Sequence, residues 1–293
     1  MEYSISTFEK LIDTCKNENK QIFEIMQEKE AYDFETTIEE VRNKTYKNIE
    51  AMKNAIKQGL NSNEKSFSGL CGDDCEKLLN KFNNKKSLFG KLFEKITTYA
   101  LATMEENLRM KKIVACPTAG SCGIVPSVII SIAEDFNISE ERQVNALITA
   151  GEIGRIISAK VALAGAVAGC QAECGAAAAM AAGAATQLLG GTPKQVLNAV
   201  GLALKNILGL TCDPVCGLVE VPCVKRNPFM AVIAMTACEM ALSDIETKIP
   251  VDEVVDAMDQ TGQLMSPTLK ESSLGGLART KTALELQTKV FGK

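Results

Sequence analysis

Between residues 161 and 185 thirteen of twenty-five side chains are alanine, and Glu173 is the only charged residue between Lys160 and Lys194. A run so poor in charge and so rich in methyl-sized side chains has no solvated face, so it must be buried on all sides. Its length invites a membrane-spanning reading, but Gln171 and Glu173 interrupt it and alanine contributes little to insertion. Small side chains instead let helices approach closely around something held between them. The rest of the chain has to supply those helices.

It has the signals to do so. Thr36 with Glu39 has the form of a capping box, and Ile38, Val41, Thr45, Ile49, Met52 and Ile56 follow at helical spacing up to Gly59. Ser6 with Glu9 opens an earlier amphipathic segment, with Phe8, Leu11, Ile12 and Cys15 on one side, and Leu78, Leu79 and Phe82 mark a shorter one. Thr192-Pro193 starts another, its apolar side carrying Val196, Leu197, Val200, Leu204 and Leu208, with proline where a missing N–H costs nothing. Segments 59–72 and 83–87 read as breaks. Only 113–115 and 218–221 look strand-like, and Pro and Cys flank them rather than hairpin turns. The pattern predicts an all-α protein, a multi-helix single domain over 1–293. A charged helical part, 1–110, precedes a core, 111–293, built on the buried Ala/Gly-rich helices.

Composition narrows the chemistry. Lys plus Arg number 32 against 36 for Asp plus Glu, a formal charge of −4 that offers no basic surface for nucleic acid. Histidine is absent, which removes imidazole-ligated metals and every histidine-based acid/base scheme from this chain. Any imidazole in the chemistry must come from elsewhere. Eleven cysteines remain, and the opening MEYSISTFE has no basic segment followed by an apolar one, so a cytoplasmic, reducing setting is expected. An odd, clustered set of thiols in that setting reads as metal ligation or as buried packing, and cysteine without histidine points to iron–sulfur more than to zinc.

Three segments combine thiols with Gly or Pro at turns: CPTAGSCGIVP at 116–126, GCQAECG at 169–175 and TCDPVCGLVEVPCVKRN at 211–227. Irregular backbone of this kind can aim N–H groups at an anion or a cluster sulfide. Cys170, Cys174, Cys212, Cys216 and Cys223 are more than enough thiolates for a cluster. Their spacings match neither the runs of ferredoxins nor a zinc ribbon.

These segments, together with LGGTP at 189–193, LKN at 204–206 and GGLA at 275–278, resemble the α chain of the two-chain, iron–sulfur-dependent L-serine dehydratases (L-serine ammonia-lyases), over nearly the whole chain. The resemblance implies a carbon–nitrogen lyase of amino-acid degradation that converts L-serine to pyruvate and ammonia. It implies a [4Fe–4S] cluster on Cys170, Cys212 and Cys223, leaving one iron open as a Lewis acid, with Cys174 and Cys216 as buried thiols. The Thr118 and Ser121 hydroxyls and the backbone of Ala119, Gly120, Ser121 and Gly123 are the candidate cradle for the substrate carboxylate, the ordinary alternative being a helix cap by Ser121. Lys205 is a candidate base, the alternative being a solvated helix lysine. Asp213 and Glu220 are candidates for orienting the ligand loops, and Lys225, Arg226 and Asn227 for neutralising the cluster.

The resemblance also implies a β chain, whose Ser-Ser-His-Thr segment this chain lacks, as the partner that completes the acid/base machinery in an oligomer. Departures from the family pattern put substrate choice in play. Where relatives read N-A-S-I-S-G-A this chain has Lys160, Ala162 and Ala164 in place of Asn and two serines, which leaves cysteine or threonine as alternative substrates. It also ends Val290-Phe-Gly-Lys293 without the terminal cysteine of one-chain members. Two rivals stand beside this reading: a pyridoxal phosphate enzyme using Lys205 and the PTAGSCG loop, and a non-catalytic scaffold binding zinc or a cluster.

Overall fold

The computed structural model describes residues 4–85 and 87–292. Residues 1–3, Lys86 and Lys293 lie outside it, and with them the start of the segment read for a leader, one residue of the 83–87 break and the last residue of the tail. Among the described residues there are thirteen α-helices and no strand: α1 (Phe8–Glu18), α2 (Ile22–Asp33), α3 (Ile38–Leu60), α4 (Asp74–Asn84), α5 (Lys91–Leu108), α6 (Ile124–Asp135), α7 (Glu140–Lys160), α8 (Gly165–Ala168), α9 (Cys170–Leu188), α10 (Pro193–Lys205), α11 (Cys223–Leu242), α12 (Val251–Leu264) and α13 (Lys281–Phe291). The two strand-like runs are coil and turn, and the one β-type pairing is an isolated parallel bridge between Cys212 and Lys270.

The alanine run becomes α9, and it sits in the middle of the molecule. Ala172, Ala176, Ala177, Ala178 and Ala179 are fully buried, and α6, α7, α10 and α11 pack around them. Methyl-sized surfaces permit this because the partner helices supply the bulk. A Cβ built on Gly183 of α9 would lie 2.2 Å from Ile153 Cδ1 of α7, and one on Gly154 of α7 would lie 2.8 Å from Met180 Sδ of α9. Each helix thus seats a large side chain in the other's glycine notch, which is how interiors reach crystal-like density. No helix among the described residues is long and apolar enough to cross a membrane.

The charged helices close over this core. Helix α5 runs between α3 and α11, and α2 and α3 lie against α7. The α3–α5 contact is backbone on backbone: a Cβ on Gly59 would fall 2.2 Å from the carbonyl oxygen of Ala102 and 2.8 Å from its Cα. Main chain cannot step aside as a side-chain end can, so Gly59→Ala is expected to cost about 3 kcal/mol. Urea denaturation of the two proteins reads this directly, and an unchanged midpoint would contradict the contact.

Two helix starts fall one residue later than the sequence pattern places them. Helix α3 is capped by Thr37, whose hydroxyl accepts from Glu40 N while the Glu40 carboxylate accepts from Thr37 N. Helix α1 is capped by Thr7 rather than Ser6, and the remote Asp252 carboxylate accepts from Phe8 N (3.2 Å) and Glu9 N (2.9 Å). Helix α10 begins as expected, with a Thr192–Gln195 capping box and Pro193 in its first turn. Leu208, read as part of its apolar face, lies beyond its end at Lys205.

Candidate active site

Three separate stretches of chain meet at the N-terminal end of α9. Cys170 is the first residue of that helix, and Cys174, one turn on, places its Sγ 3.3 Å from that of Cys170. Cys212 hydrogen-bonds Cys170 from the loop that follows α10, and Cys223, the first residue of α11, is close enough to feel the charge on Cys170. All four thiols are buried, and two of them stand at helix N-termini, where unpaired N–H groups favour negative charge.

The protonation pattern follows from this packing. Hydrogen bonds from Cys174 and Cys212 hold the Cys170 thiol well below the ordinary thiol range against the effect of burial, with Arg226 adding to them. The same hydrogen bonds, then burial, push Cys174 and Cys212 upward, and burial pushes Cys223 up to about 12. In the metal-free chain the group therefore carries its negative charge on Cys170. A bound metal would take the remaining protons off, since a coordinating thiol is deprotonated outright.

The Cys212 loop is laced to segment 266–279. Cys212 N donates to Leu269 O (2.9 Å), Glu271 N to Cys212 O (2.6 Å), the Ser273 hydroxyl to Pro214 O (2.9 Å), and Leu277 N to Asp213 Oδ2 (2.8 Å). The other oxygen of Asp213 takes Arg226 Nη2 at 2.9 Å, while Arg226 Nη1 donates to Thr211 O at 2.8 Å. Asp213 thus orients the Cys212 loop. Its closeness also explains the second glycine of GGLA, because Gly276 has φ 57 and a Cβ there would lie 2.5 Å from Asp213 Oδ2.

The PTAGSCG loop meets α9 beside the thiols, at Glu173. The Thr118 and Ser121 hydroxyls are 2.9 Å apart, and Thr118 also donates to Glu173 Oε1. Ser121 is fully buried in a short 3₁₀ turn and does not cap α6, which starts three residues later after Gly123. Gly120 is buried and Ala119 exposed. Gly123, a candidate for the cradle, is instead a packing residue. Its N–H donates to Asn227 Oδ1 (3.0 Å), and a Cβ on it would lie 2.4 Å from Ala100 O. The fully buried Asn227 also donates to Gly120 O (2.9 Å) and Cys223 O (3.0 Å), so it ties this loop to the start of α11 rather than neutralising charge.

Other candidates are placed elsewhere. Lys205 is exposed at the end of α10, donates to Thr247 O (3.3 Å) and touches neither loop nor thiols. Lys225 turns away from the thiol group to Asp74 (2.6 Å). Glu220 is buried but accepts from Ser66 (2.6 Å) and Ser68 (2.8 Å), so it fixes the loop after α3 rather than a ligand loop. Cys216 is partly exposed in a left-handed turn, not the buried thiol expected of it, because the 3₁₀ turn there points it outward from the core. Lys160 pairs with Asp256 at 2.8 Å. Ala162 and Ala164 are exposed next to Gly165, where a built Cβ would lie 2.7 Å from Cys212 Sγ. An open cleft of about 820 Å³ between α3 and segment 106–112 shares no residue with these segments.

Sequence reasoning gave no role to Glu173. Burial, ahead of the Thr118 hydrogen bond that opposes it, pushes its carboxyl up to about 7, which puts a proton within reach of neutral pH at the heart of the loop cluster. Its isolation as the one charge in an apolar run was the available signal.

Comparison with known proteins gives this arrangement its context. The model of the family described as serine dehydratase alpha chain matches residues 17–278. The chain is 43% identical over 282 residues to a probable L-serine dehydratase, alpha chain, of Bacillus subtilis, covering 96% of this chain and 94% of that one. It is 37% identical over 283 residues to the L-serine dehydratase, alpha chain, of Peptoniphilus asaccharolyticus, covering 97% of each. An L-serine dehydratase of Helicobacter pylori is 37% identical over 287 residues, which take in 95% of this chain but only 62% of that protein. A match that spans the thiol segments, the hydroxyl loop and the GGLA lacing alike leaves one assignment: the chain belongs to the serine dehydratase alpha chain family.

Proposed function

We propose that the chain is the catalytic α subunit of a cytoplasmic L-serine ammonia-lyase, which removes water from L-serine and yields pyruvate and ammonia. The observation that carries this reading is the meeting of Cys170, Cys212 and Cys223, from three separate segments, beside the Thr118–Ser121 hydroxyl pair and Glu173. The names of the relatives supply the substrate.

Cys170, Cys212 and Cys223 are the residues that would hold a [4Fe–4S] cluster. The donor set suits it: soft thiolates without imidazole, two of them at helix N-termini, with Arg226 alongside to offset negative charge. When bound with three thiolates, such a cluster offers an iron without a protein ligand as a Lewis acid toward the departing hydroxyl.

The chain's own residues do the rest. The Thr118 and Ser121 hydroxyls and the amides of Ala119, Gly120 and Ser121 receive the substrate carboxylate. Glu173, protonated near neutral pH and steadied at Oε1 by Thr118, holds the proton that leaves with the hydroxyl as water. Removal of the α-proton needs an acceptor that this histidine-free chain does not supply, since Lys205 is committed to Thr247. That group comes from a β chain. The longer Helicobacter pylori relative, of which this chain matches 62%, supports a division of the enzyme into two parts.

The test is pyruvate release by the anaerobically reconstituted chain with and without its partner. Turnover of L-serine is expected to be at least about 100-fold higher with the partner, the usual worth of a positioned acid or base. L-threonine and L-cysteine belong in the same assay, because Ala162 and Ala164, in the stretch just before Gly165 at Cys212, carry no hydroxyl. Full turnover by the chain alone would remove the partner from the mechanism. No serine turnover by the cluster-loaded pair would remove the assignment.

A further inference from the structure

Glu271 is the carboxylate that the mechanism above leaves unused. It lies on the segment laced to the Cys212 loop, and its backbone N–H donates to Cys212 O while Cys212 N donates to Leu269 O two residues before it. That pairing fixes Glu271 in the left-handed region (φ 58) and delivers its side chain to the thiols. A single point, the Cβ built on Gly165, lies 2.7 Å from Cys212 Sγ and 3.4 Å from Glu271 Oε2. The carboxylate accepts no hydrogen bond and joins no ion pair among the described residues, and the residue is exposed.

Charge around it makes this placement unusual. Cys170 already carries negative charge, and Cys212 feels the charge of Glu271 beside it. The local cations are spent elsewhere than on Glu271: Arg226 on Cys170, Asp213 and Thr211 O, and Lys225 on Asp74. A solvent-exposed carboxylate without a partner among the described residues, 3.4 Å from a point that is itself 2.7 Å from Cys212 Sγ, is free to take a cation that arrives beside the thiols. The hydroxyl loop meets Glu173 through Thr118 and is tied to Cys223 O through Asn227, whereas Glu271 is paired with Cys212 and close enough for Glu173 to feel its charge. Glu173 is the weaker candidate for the cation, because Thr118 already occupies its Oε1.

We propose that the Glu271 carboxylate receives the α-ammonium group of the substrate and so selects amino acids over the corresponding simple carboxylic acids, an inference that rests on the amino-acid-lyase reading above. The experiment uses the cluster-loaded complex of this chain with its partner, as parent and as Glu271→Gln. L-alanine and propanoate, which differ only in the ammonium group and have no hydroxyl to lose, are the binding probes, read by calorimetry as well as by competitive inhibition.

Loss of a hydrogen bond to a charged group predicts that Glu271→Gln weakens L-alanine about 10- to 100-fold, leaves propanoate unchanged, and raises the KM for L-serine more than it lowers kcat. Iron and sulfide content stay at the parent level. Equal effects on both probes, or none, would overturn the assignment. Iron lost from Glu271→Gln would overturn it too, by making the residue a ligand of the cluster rather than of the substrate. Failure of the underlying reading is separable: the parent complex itself would then neither turn over L-serine nor bind L-alanine.

Discussion

Replacing Cys212 by serine is expected to bring iron content to background and L-serine turnover down by more than about 10³-fold, with helical content retained. The fold survives because what holds Cys212 in place is not its sulfur. The main chain is pinned to Leu269 and Glu271, and Asp213 next to it bridges Arg226 and Leu277. A hydroxyl fits the same space but is a hard, weakly acidic donor in place of a soft thiolate. Cys174→Ala is the control. Its sulfur touches Cys170 at 3.3 Å, yet it lies one turn into α9 rather than at the helix start, so iron should be kept. Iron measured in both variants decides the ligand set; loss with Cys174 and retention with Cys212 would exchange their roles.

Glu173→Gln is expected to lower kcat by about 10²- to 10³-fold with iron unchanged, because glutamine keeps an oxygen for Thr118 but cannot give up a proton. The same substitution has a signature in the metal-free chain. Burial pushes the folded carboxyl up to about 7, well above the ordinary carboxylate range, so the folded state holds this proton more tightly than the unfolded one. Its contribution to stability is complete below the unfolded value and is lost as pH rises through about 7. Glu173→Gln should remove that slope and leave the metal-free chain more stable than the parent at pH 8, by on the order of 2 kcal/mol. Urea denaturation at pH 5 and pH 8 measures it. Parallel pH profiles for the two proteins would place the proton elsewhere.

Local sequence carried the helices well and their first residues less well, for identifiable reasons. In the TTIEE stretch both Thr36 and Thr37 have a glutamate three residues on, so two capping boxes compete and the pattern cannot choose between them. At α1 the choice of Thr7 goes with Asp252, nearly the whole chain away, which caps the free N–H groups of Phe8 and Glu9. The burial of α9 was legible because only one environment suits a run of alanines. The apolar 218–221 run was ambiguous, and its residues turn back on themselves, with Glu220 N donating to Leu218 O, instead of pairing with a strand.

The site divides in the same way. That the hydroxyl loop and the cysteine segments were candidates for chemistry was readable from residue types; which members face one another was not. Lys225, Arg226 and Asn227 follow Cys223 consecutively, but helical rotation sends them to Asp74, to Asp213 and to the 120–123 loop respectively. Gly123 looked like part of an anion cradle because the loop is glycine-rich, whereas the close approach of Ala100 is what demands it. Glu271 left no local trace, since only the pairing of its segment with Cys212 brings it to the thiols.

Three thiolates of this chain are proposed to hold a cluster with one iron left for substrate. Mössbauer spectroscopy of the chain, reconstituted anaerobically with enriched iron and joined to its partner, tests it most directly when recorded before and after addition of L-serine. The account predicts about four irons and four sulfides per chain, with about one quarter of the iron signal shifting when L-serine binds. Zinc in place of iron, or four irons that ignore L-serine, would contradict it.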